Sequence, residues 1–541
     1  MADLTVTAAS PIGAPGFHAG RAADLVAPRD QRLYRSLEIL PGVLSWGTLV
    51  GAAVLAWTLP VWAAFFIIAF DLYWLSKTAY LSVHHFHNWR RMKRALALDW
   101  AGEIRKLPGT AAERFTHLVL LPYYRESEAV IRGTLESILA NDYDHRKIFV
   151  VLAAEARAGE EFVALGRQLA AEYAPRLGAA ICTVHPAGLP DEMPGKGSNI
   201  AYAADEARLA LVLSCGLREE EVLVSAFDID TVVFPRYFSC LAWHAATDRD
   251  PAAASFQPVP LYNNNLWDAP SFSRVAALSS TFWQMIEQER PERLVTFSSH
   301  ACTLSALRRV GYWQRNMVSE DSRIYWNLFF ATGGKHRVVP MAYPVSMDAN
   351  LASTVAGTAA NIYRQHRRWT WGVENVPYVL FHSIRGTGGV SLRRRLLASF
   401  VQLEGFWSLA TNPFLILLLG WLPLLLGGNA FNETVLAYNL PKVTSLLMTL
   451  AMCGVLLSAI VGLSLLPPYP ERLPGKFRRY AAMVLQWVLV PIHITIFGAI
   501  PGLDAQTRLM LGRYMGFWVT PKHRRERETA PAAAAGAVSV Q

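Results

Sequence analysis

The chain has 541 residues, 52% of them hydrophobic, a formal net charge of +9 and five cysteines. This length exceeds one small domain, and the scattered cysteines, without a C-x-x-C pair, argue against a disulfide framework or a zinc site. The basic residues cluster beside apolar segments, so the charge indicates membrane topology rather than nucleic-acid binding.

Two long apolar stretches lie near the N-terminus. Residues 1–38 are basic, and we expect them to be disordered, without a cleavable signal peptide. The stretches 41–58 and 61–83 meet at Leu59-Pro60, and each can cross a bilayer, so they predict a transmembrane hairpin over residues 39–84. Basic flanks at both ends predict that the N-terminus and the next domain lie in the cytosol.

Residues 112–345, within a predicted cytosolic domain of residues 85–385, alternate short apolar runs with helical stretches such as 127–141 and 160–173. The apolar runs have the character of buried parallel strands, and they span residues 117–122, 147–153, 180–184 and 221–227. This order predicts an α/β domain inserted between membrane segments, with ligands bound beyond the carboxyl ends of the strands.

The region 386–512 is again apolar. The stretches 412–426 and 443–466 predict two further spans, making four in total. A third stretch, 481–500, contains polar residues, and crossing would place the basic PKHRRER end outside, so we expect it to be interfacial or re-entrant. The tail 525–541 is expected to be disordered.

Two acidic pairs are candidates for chemistry. Asp228 and Asp230 follow an apolar strand, and two carboxylates one residue apart can share a divalent cation, although acidic turns are common. Glu320 and Asp321 either complement a helix N-terminus or include a general base that removes a proton from an acceptor hydroxyl.

A third candidate motif is Q-x-x-R-W, formed by Gln365, Arg368 and Trp369. A basic flank before the membrane would explain its arginine. However, arginine also holds phosphate oxygens with a planar fork, and a tryptophan face stacks on a pyranose ring. The motif therefore also fits a sugar diphosphate.

These motifs, in this order, resemble the processive, membrane-integrated branch of glycosyltransferase family 2, which contains the cellulose and hyaluronan synthases. The resemblance runs from about residue 117 to 522 and adds LPYYRES, PGKGSNIAYA and FWVTPK. It implies Asp321, beside Glu320, as the catalytic base and a gating loop within 513–524. The implied donor-binding residues are Tyr123, Tyr124, Glu126, Glu155, Lys196, Asn199, Asp228, Gln365 and Arg368. The implied acceptor residues are Trp369 and His300, and the implied metal ligands are Asp228 and Asp230. The implied gating-loop residues are Phe517, Val519, Thr520 and Lys522.

The sequence departs from the family pattern at several positions. Glu155 lies near the place of an aspartate after the second strand, and Arg125 replaces an asparagine. Pro258-Val259-Pro260 occupies the place where cellulose synthases carry a histidine metal ligand. These departures put the nucleoside contacts and a third protein ligand in doubt.

The resemblance implies a GT-A-like domain and a hexosyltransferase in the bacterial inner membrane, with its catalytic domain in the cytosol. The expected reaction is inverting and needs Mg²⁺ or Mn²⁺; it moves a sugar from a nucleotide-diphosphate sugar, UDP-linked, to a growing polysaccharide. Transfer of one sugar to a lipid acceptor, or a catalytically degenerate membrane scaffold, are the alternatives. Expected partners are the donor, a glycan or lipid acceptor, membrane lipids and export proteins, without nucleic acid.

Overall fold

The computed structural model of the chain describes residues 16–109, 114–418, 420–470 and 473–518. The tail 525–541 lies outside the described residues. The expectation that residues 1–38 are disordered is wrong for the part that is described, because Phe17 and Leu25 are buried and a helix begins at Pro28. These apolar side chains pack into the core of the α/β domain, which holds the segment in place.

Two long helices precede this domain. Helices α1 (Pro28–Thr58) and α2 (Pro60–Ala97) meet at Leu59, whose backbone is not helical. A proline stands in the first turn of each, where its missing N–H costs no hydrogen bond. Both helices are long and apolar enough to cross a membrane, as the predicted hairpin requires. The short α3 (Trp100–Arg105) then leads to the sheet.

One eight-stranded mixed sheet forms the centre of the domain, with the strand order β3-β2-β1-β4-β7-β6-β8-β5. Its strands are β1 (Thr116–Tyr123), β2 (Ile148–Glu155), β3 (Ala179–His185), β4 (Val222–Ala226), β5 (Val232–Val233), β6 (Ala254–Tyr262), β7 (Ala301–Thr303) and β8 (Arg337–Met347). The first four pair in parallel, which confirms the four predicted strands, and β7 runs antiparallel to both of its neighbours.

Helices cover both faces of the sheet. They are α4 (Glu128–Leu139), α5 (Glu160–Tyr173), α6 (Lys196–Ala207), α7 (Tyr237–Thr247), α8 (Ser271–Glu287), α9 (Leu304–Arg309), α10 (Glu320–Ala331), α11 (Val355–Thr370) and α12 (Asn375–Arg385). Alternate residues of β1 enter different cores, Val119 and Leu121 on one side and Leu118 and Leu120 on the other. A strand buried on both faces reads as one apolar run, which explains why these strands were visible in the sequence.

The C-terminal region is a set of shorter helices. They are α13 (Leu392–Leu418), α14 (Leu422–Leu426), α15 (Gly428–Asn432), α16 (Val435–Ala451), α17 (Cys453–Ser464), α18 (Lys476–Leu485), α19 (Val490–His493) and α20 (Ile500–Met510). Irregular helical turns join α18, α19 and α20 into one segment, 476–510, which is long and apolar enough to cross a membrane.

The described residues therefore differ from the four predicted spans. Three segments qualify by length and hydropathy, namely 28–58, 60–97 and 476–510. The predicted spans 412–426 and 443–466 are divided among shorter helices. In the first of these spans, Pro423 lies in the first turn of α14 and Gly427 stands between α14 and α15, since a proline ring and a flexible glycine both interrupt a helix. The break in the second span falls at Met452.

Candidate active site

Two helices begin at the edge of the sheet where the parallel strands end. Lys196 is the first residue of α6, after Gly195, and Glu320 and Asp321 are the first residues of α10. Asp228 follows β4 with only Phe227 between them. The carboxyl ends of parallel strands form a crevice, so residues that are distant along the chain meet here.

Lys196 joins two of the predicted site carboxylates. Its Nζ lies 2.8 Å from Asp228 Oδ1 and 2.9 Å from Asp321 Oδ2. The lysine is 9% exposed, whereas the side chains of Asp228 and Asp321 are 30% and 23% exposed. Burial alone would lower the pKa of Lys196, but the charges of Asp228 and Asp321 outweigh it and raise that pKa. The ammonium is therefore charged, and the two carboxylates face the crevice from either side of it.

The second carboxylate of the D-x-D triplet is oriented by a different partner. Asp230 is fully buried, and its Oδ2 accepts a hydrogen bond from the backbone N–H of Asp348 at 3.0 Å. Asn264 donates through Nδ2 to both the Asp230 carbonyl oxygen and the Asp348 carboxylate. Ser298 donates to the other oxygen of Asp228 at 2.8 Å. Asp348 and Asn264 stand in none of the sequence motifs, and Ser298 was not among the candidate residues, so sequence reasoning missed all three.

The members of the acidic pair are not equivalent. Glu320 is 2% exposed and packs against Gly197, where a Cβ atom would lie 3.0 Å from the Glu320 Cβ. Burial, and then the charge of Asp321, raise the pKa of Glu320 to about 8. The Glu320 carboxyl is enclosed, whereas the Asp321 side chain is 23% exposed, so Asp321 is the member of the pair that an acceptor can reach. This geometry does not support the predicted catalytic role of Glu320.

His300 also lies behind the crevice rather than in it. It is fully buried; its Nε2 accepts from Trp313 Nε1 at 3.2 Å, and its Nδ1 lies 2.8 Å from the Phe297 carbonyl. Its Nδ1 is 3.9 Å from Asp321 Oδ1, which is beyond hydrogen-bond distance. Burial lowers the pKa of His300. Because this neutral ring is enclosed by protein, the geometry does not favour contact between His300 and an acceptor.

Trp369 lines a narrow slot near Asp228 and Asp230. Its ring centroid is 5.8 Å from that of Tyr262 and 6.1 Å from that of Phe297. Burial raises the pKa of Tyr262, and the charges of Asp228 and Asp230 raise it further, so this ring is within electrostatic reach of both acids. Asp348 and Gln365 also line the slot, and Gln365 Oε1 accepts from Asn350 at 3.3 Å.

The beginning of the FWVTPK segment reaches the same crevice. The ring of Phe517 lies 5.0 Å from the Arg368 guanidinium, and a Cβ atom on Gly195 would come within 2.6 Å of it. Gly195 has a φ of +153°, which only glycine adopts readily. Phe517 thus covers the first turn of α6, next to Lys196. Val519, Thr520 and Lys522 lie outside the described residues.

Only some of the residues predicted to bind the nucleoside face the crevice. Tyr123 is 3% exposed and donates its hydroxyl hydrogen to the Phe162 carbonyl under α5, so it faces away from the crevice. The centroid of the Tyr124 ring lies 4.4 Å from the Arg157 guanidinium, and Arg157 in turn forms an ion pair with Glu155. Arg157 is a site candidate that carried no motif signal.

Two further predicted donor residues have structural partners. Glu126 accepts hydrogen bonds from the backbone N–H groups of Tyr124 and Arg125 at 2.7 and 3.1 Å, which shapes the loop after β1. Asn199 is 1% exposed and donates to the Ala153 carbonyl at 2.7 Å, so it ties α6 to β2. The prediction that Asn199 reaches the donor is not supported, because helix α6 turns that side chain towards the sheet.

The acids suit a hard divalent cation, since Mg²⁺ and Mn²⁺ prefer carboxylate oxygens. Within the described ranges, however, no group of three His, Cys, Asp or Glu side chains is arranged around one metal position. Asp228 and Asp230 supply two carboxylates of the preferred kind at this edge of the sheet.

A family model described as glycosyl transferase family group 2 matches residues 223–499, just over half of the chain. No curated protein matched the sequence. Among solved structures, the mannosyltransferase PcManGT from Pyrobaculum calidifontis, in complex with GDP-Man and Mn²⁺, is 18% identical, with a TM-score of 0.41 over 73% of this chain and 99% of that one. TarS 1–349 of S. aureus is 12% identical, with a TM-score of 0.33 over 65% and 91% of the respective chains.

The matched segment contains the D-x-D carboxylates, Asp321 and Trp369. It also includes the antiparallel part of the sheet and most of the C-terminal helices. The predicted α/β fold class and the prediction of a glycosyltransferase are confirmed by this match. The chain belongs to glycosyl transferase family group 2.

Proposed function

We propose that the protein is an inverting, metal-dependent membrane glycosyltransferase that moves a hexose from a nucleotide-diphosphate sugar to a growing glycan. The observation that carries the proposal is the double ion pair of Lys196 with Asp228 and Asp321. One ammonium group joins the carboxylate suited to a diphosphate-bound cation to the carboxylate suited to proton removal. Phosphate binding and base catalysis would therefore act within a few ångströms of each other.

In this proposal, Asp228 and Asp230 would hold Mg²⁺ or Mn²⁺, which would neutralise charge on the departing diphosphate. Lys196 and Arg368 contribute fixed positive charge at the same place. Asp321 accepts the proton of an acceptor hydroxyl, and the hydroxyl oxygen forms the new bond to the anomeric carbon while the bond to the diphosphate breaks. Attack from the face opposite the leaving group inverts the configuration.

Trp369 and the Phe517 segment would control the two substrates. Trp369 offers an aromatic face for the acceptor sugar, supported by its packing against Tyr262 and Phe297. Phe517 lies beside Lys196 and over Arg368, as a segment that closes over a diphosphate would. A closing segment suits repeated transfer, so a polysaccharide product of the cellulose or hyaluronan synthase kind is favoured over a single sugar on a lipid.

The membrane arrangement is part of the same proposal. In segment 476–510, Gln486 accepts from Arg274 at 2.7 Å, the Phe497 carbonyl lies 2.6 Å from His366 Nδ1, and the Pro501 carbonyl accepts from Thr370 at 3.1 Å. A helix that left the domain to cross a bilayer would contact it at one end only. These contacts along the segment support an interfacial position beneath a cytosolic catalytic domain, in a bacterial inner membrane.

A donor screen tests the proposed reaction. The full chain, purified in detergent, is incubated with a panel of UDP- and GDP-linked sugars, with Mg²⁺, Mn²⁺ or a chelator, and release of the nucleoside diphosphate is measured. We expect turnover of one donor, lost with the chelator and lost in Asp230→Asn. Silence with every donor would favour the degenerate scaffold, and one added sugar per lipid, found by mass spectrometry of the product, would favour the lipid acceptor.

A further inference from the structure

A second cavity lies away from the catalytic crevice, where α8 meets the start of segment 476–510. It has a volume of about 430 Å³, within the range of about 300–1,000 Å³ found for small-molecule sites. Its lining comprises Trp267, Arg274, Pro474, Gly475, Arg478, Arg479, Ala482 and Met483. Three of these residues are arginines, and no acid occurs among the lining residues that the structure describes.

The buried arginine is held in a fixed orientation at the back of the cavity. Arg274 is 9% exposed and uses three of its five N–H groups on protein oxygens: Gln486 Oε1 at 2.7 Å, the Ala269 carbonyl at 2.8 Å and Ser271 Oγ at 2.9 Å. A planar guanidinium that is fixed in this way is preorganised for the oxygens of a phosphate.

The charges around the cavity repel one another in the absence of an anion. Burial, and then the Arg479 guanidinium, lower the pKa of Arg274. Arg479 is itself held by a hydrogen bond from its Nε to the Pro474 carbonyl, at 3.3 Å, and Arg478 is exposed at the rim. A bound anion would relieve this repulsion, whereas a neutral ligand would not.

The cavity borders a strongly apolar surface. Phe477, Leu485 and Val488, on the same helical segment, are 85%, 68% and 73% exposed. Such a combination of exposed apolar side chains and a basic recess is typical of a surface that lies in a membrane interface. Trp267 closes the inner wall, with its ring 5.0 Å from Tyr469 and 5.4 Å from Tyr480.

We infer that this cavity binds the phosphate headgroup of an anionic phospholipid, with the acyl chains lying along the apolar face of segment 476–510. The site is separate from the donor and acceptor positions, so the inference rests on the proposed interfacial position of segment 476–510 and not on the proposed reaction. A lipid bound there would fix the segment that contacts α8 and α11, and thereby the height of the catalytic domain above the bilayer.

Lipid retention tests the inference. The full chain, delipidated in detergent, is incubated with phosphatidylglycerol or phosphatidylcholine, and lipid retained per protein is measured by native mass spectrometry. We expect the wild type to retain phosphatidylglycerol preferentially, and Arg478→Gln/Arg479→Gln to retain about tenfold less of it. The control Arg90→Gln/Arg393→Gln removes two exposed charges elsewhere and should retain as much as the wild type.

The remaining outcomes separate the possible sources of phosphate. Thermal midpoints without added lipid check that both double variants fold. The single variant Arg478→Gln changes only an exposed residue, and we expect it to retain several-fold less phosphatidylglycerol than the wild type. Displacement of phosphatidylglycerol by millimolar inorganic phosphate would assign the cavity to soluble phosphate and overturn the lipid assignment. Equal retention by wild type and the cavity variants, or equal retention of both lipids, would also overturn it.

Discussion

Replacing Asp321 by asparagine separates catalysis from stability. In the wild type, Asp321 Oδ2 lies 2.9 Å from Lys196 Nζ, an attraction of ~6 kcal/mol at an effective dielectric constant of about 20. Most of this attraction is offset in the variant, because Lys196 keeps Asp228 at 2.8 Å and the amide oxygen still accepts a hydrogen bond. Repulsion between the two carboxylates also disappears, worth at least ~3 kcal/mol, because the distances of their oxygens from Lys196 Nζ, 2.8 and 2.9 Å, allow a separation of about 5.7 Å at most. We expect Asp321→Asn to lose only about 1–2 kcal/mol of folding free energy.

The loss of rate should be larger. Removal of a positioned general base costs about 10²–10⁴-fold in rate, equivalent to about 3–5 kcal/mol. The assay compares sugar transfer with donor affinity, measured by calorimetry on the same preparation; we expect donor affinity to change by less than about threefold, because an asparagine side chain preserves the shape of the crevice.

A matched control is available at Glu289, which is half-buried outside the crevice and accepts from Arg91 at 2.7 Å and from Asn88 at 2.9 Å. Glu289→Gln should cost stability without a comparable loss of rate. A transfer rate for Asp321→Asn within threefold of the wild type would refute the assignment of Asp321 as the base. A parallel loss of rate in Glu289→Gln would show that stability, not proton removal, limits the assay.

Three further predictions concern the surroundings of this base. Trp369→Ala should lower transfer to the acceptor at least tenfold while donor hydrolysis by water persists, measured as the ratio of transferred to released sugar; a parallel fall of both would contradict an acceptor role. Glu320 has a folded-state pKa of about 8, above its ordinary value of 4.5, so the stability it contributes is complete below pH 4.5 and is lost as pH rises towards and through 8. Thermal midpoints should therefore fall between pH 6 and about 9 in the wild type, and fall less in Glu320→Gln. Identical pH profiles for the two proteins would exclude Glu320 as the source of this pH dependence. Gly195→Ala should displace Phe517 from α6 and raise the KM for the donor several-fold. The control is Gly159→Ala, which imposes backbone strain alone, because Gly159 has a φ of +110° and no atom lies within 4 Å of its Cβ position. Equal KM values in both variants would argue against a role for Phe517.

The local features of the protein could be predicted because their causes are local. Strands buried on both faces are continuous apolar runs, and the four parallel strands were placed within two residues of their observed ends. The helix 160–173 coincides with its predicted range for the same kind of reason, since helical periodicity depends on near neighbours. Asp228, Asp321 and Trp369 were candidates because each stands in a short motif.

Other features depended on which segments meet. Lys196 contacts Asp228 and Asp321, which lie 32 and 125 residues away along the chain, and no spacing rule predicts such pairs. Tyr123 and Asn199 stand in motifs, yet the packing of α5 and α6 against the sheet turns both side chains away from the crevice.

The C-terminal helices show the same division. Hydropathy identified their apolar character correctly, because it sums over neighbouring residues. Which stretches form long helices depended on breaks at Pro423 and the glycines after it, and on contacts of segment 476–510 with α8 and α11. Composition and motifs thus determined the family and the local elements, while the orientation of each side chain was decided only when distant segments packed together, since burial and ion pairing are properties of that assembly.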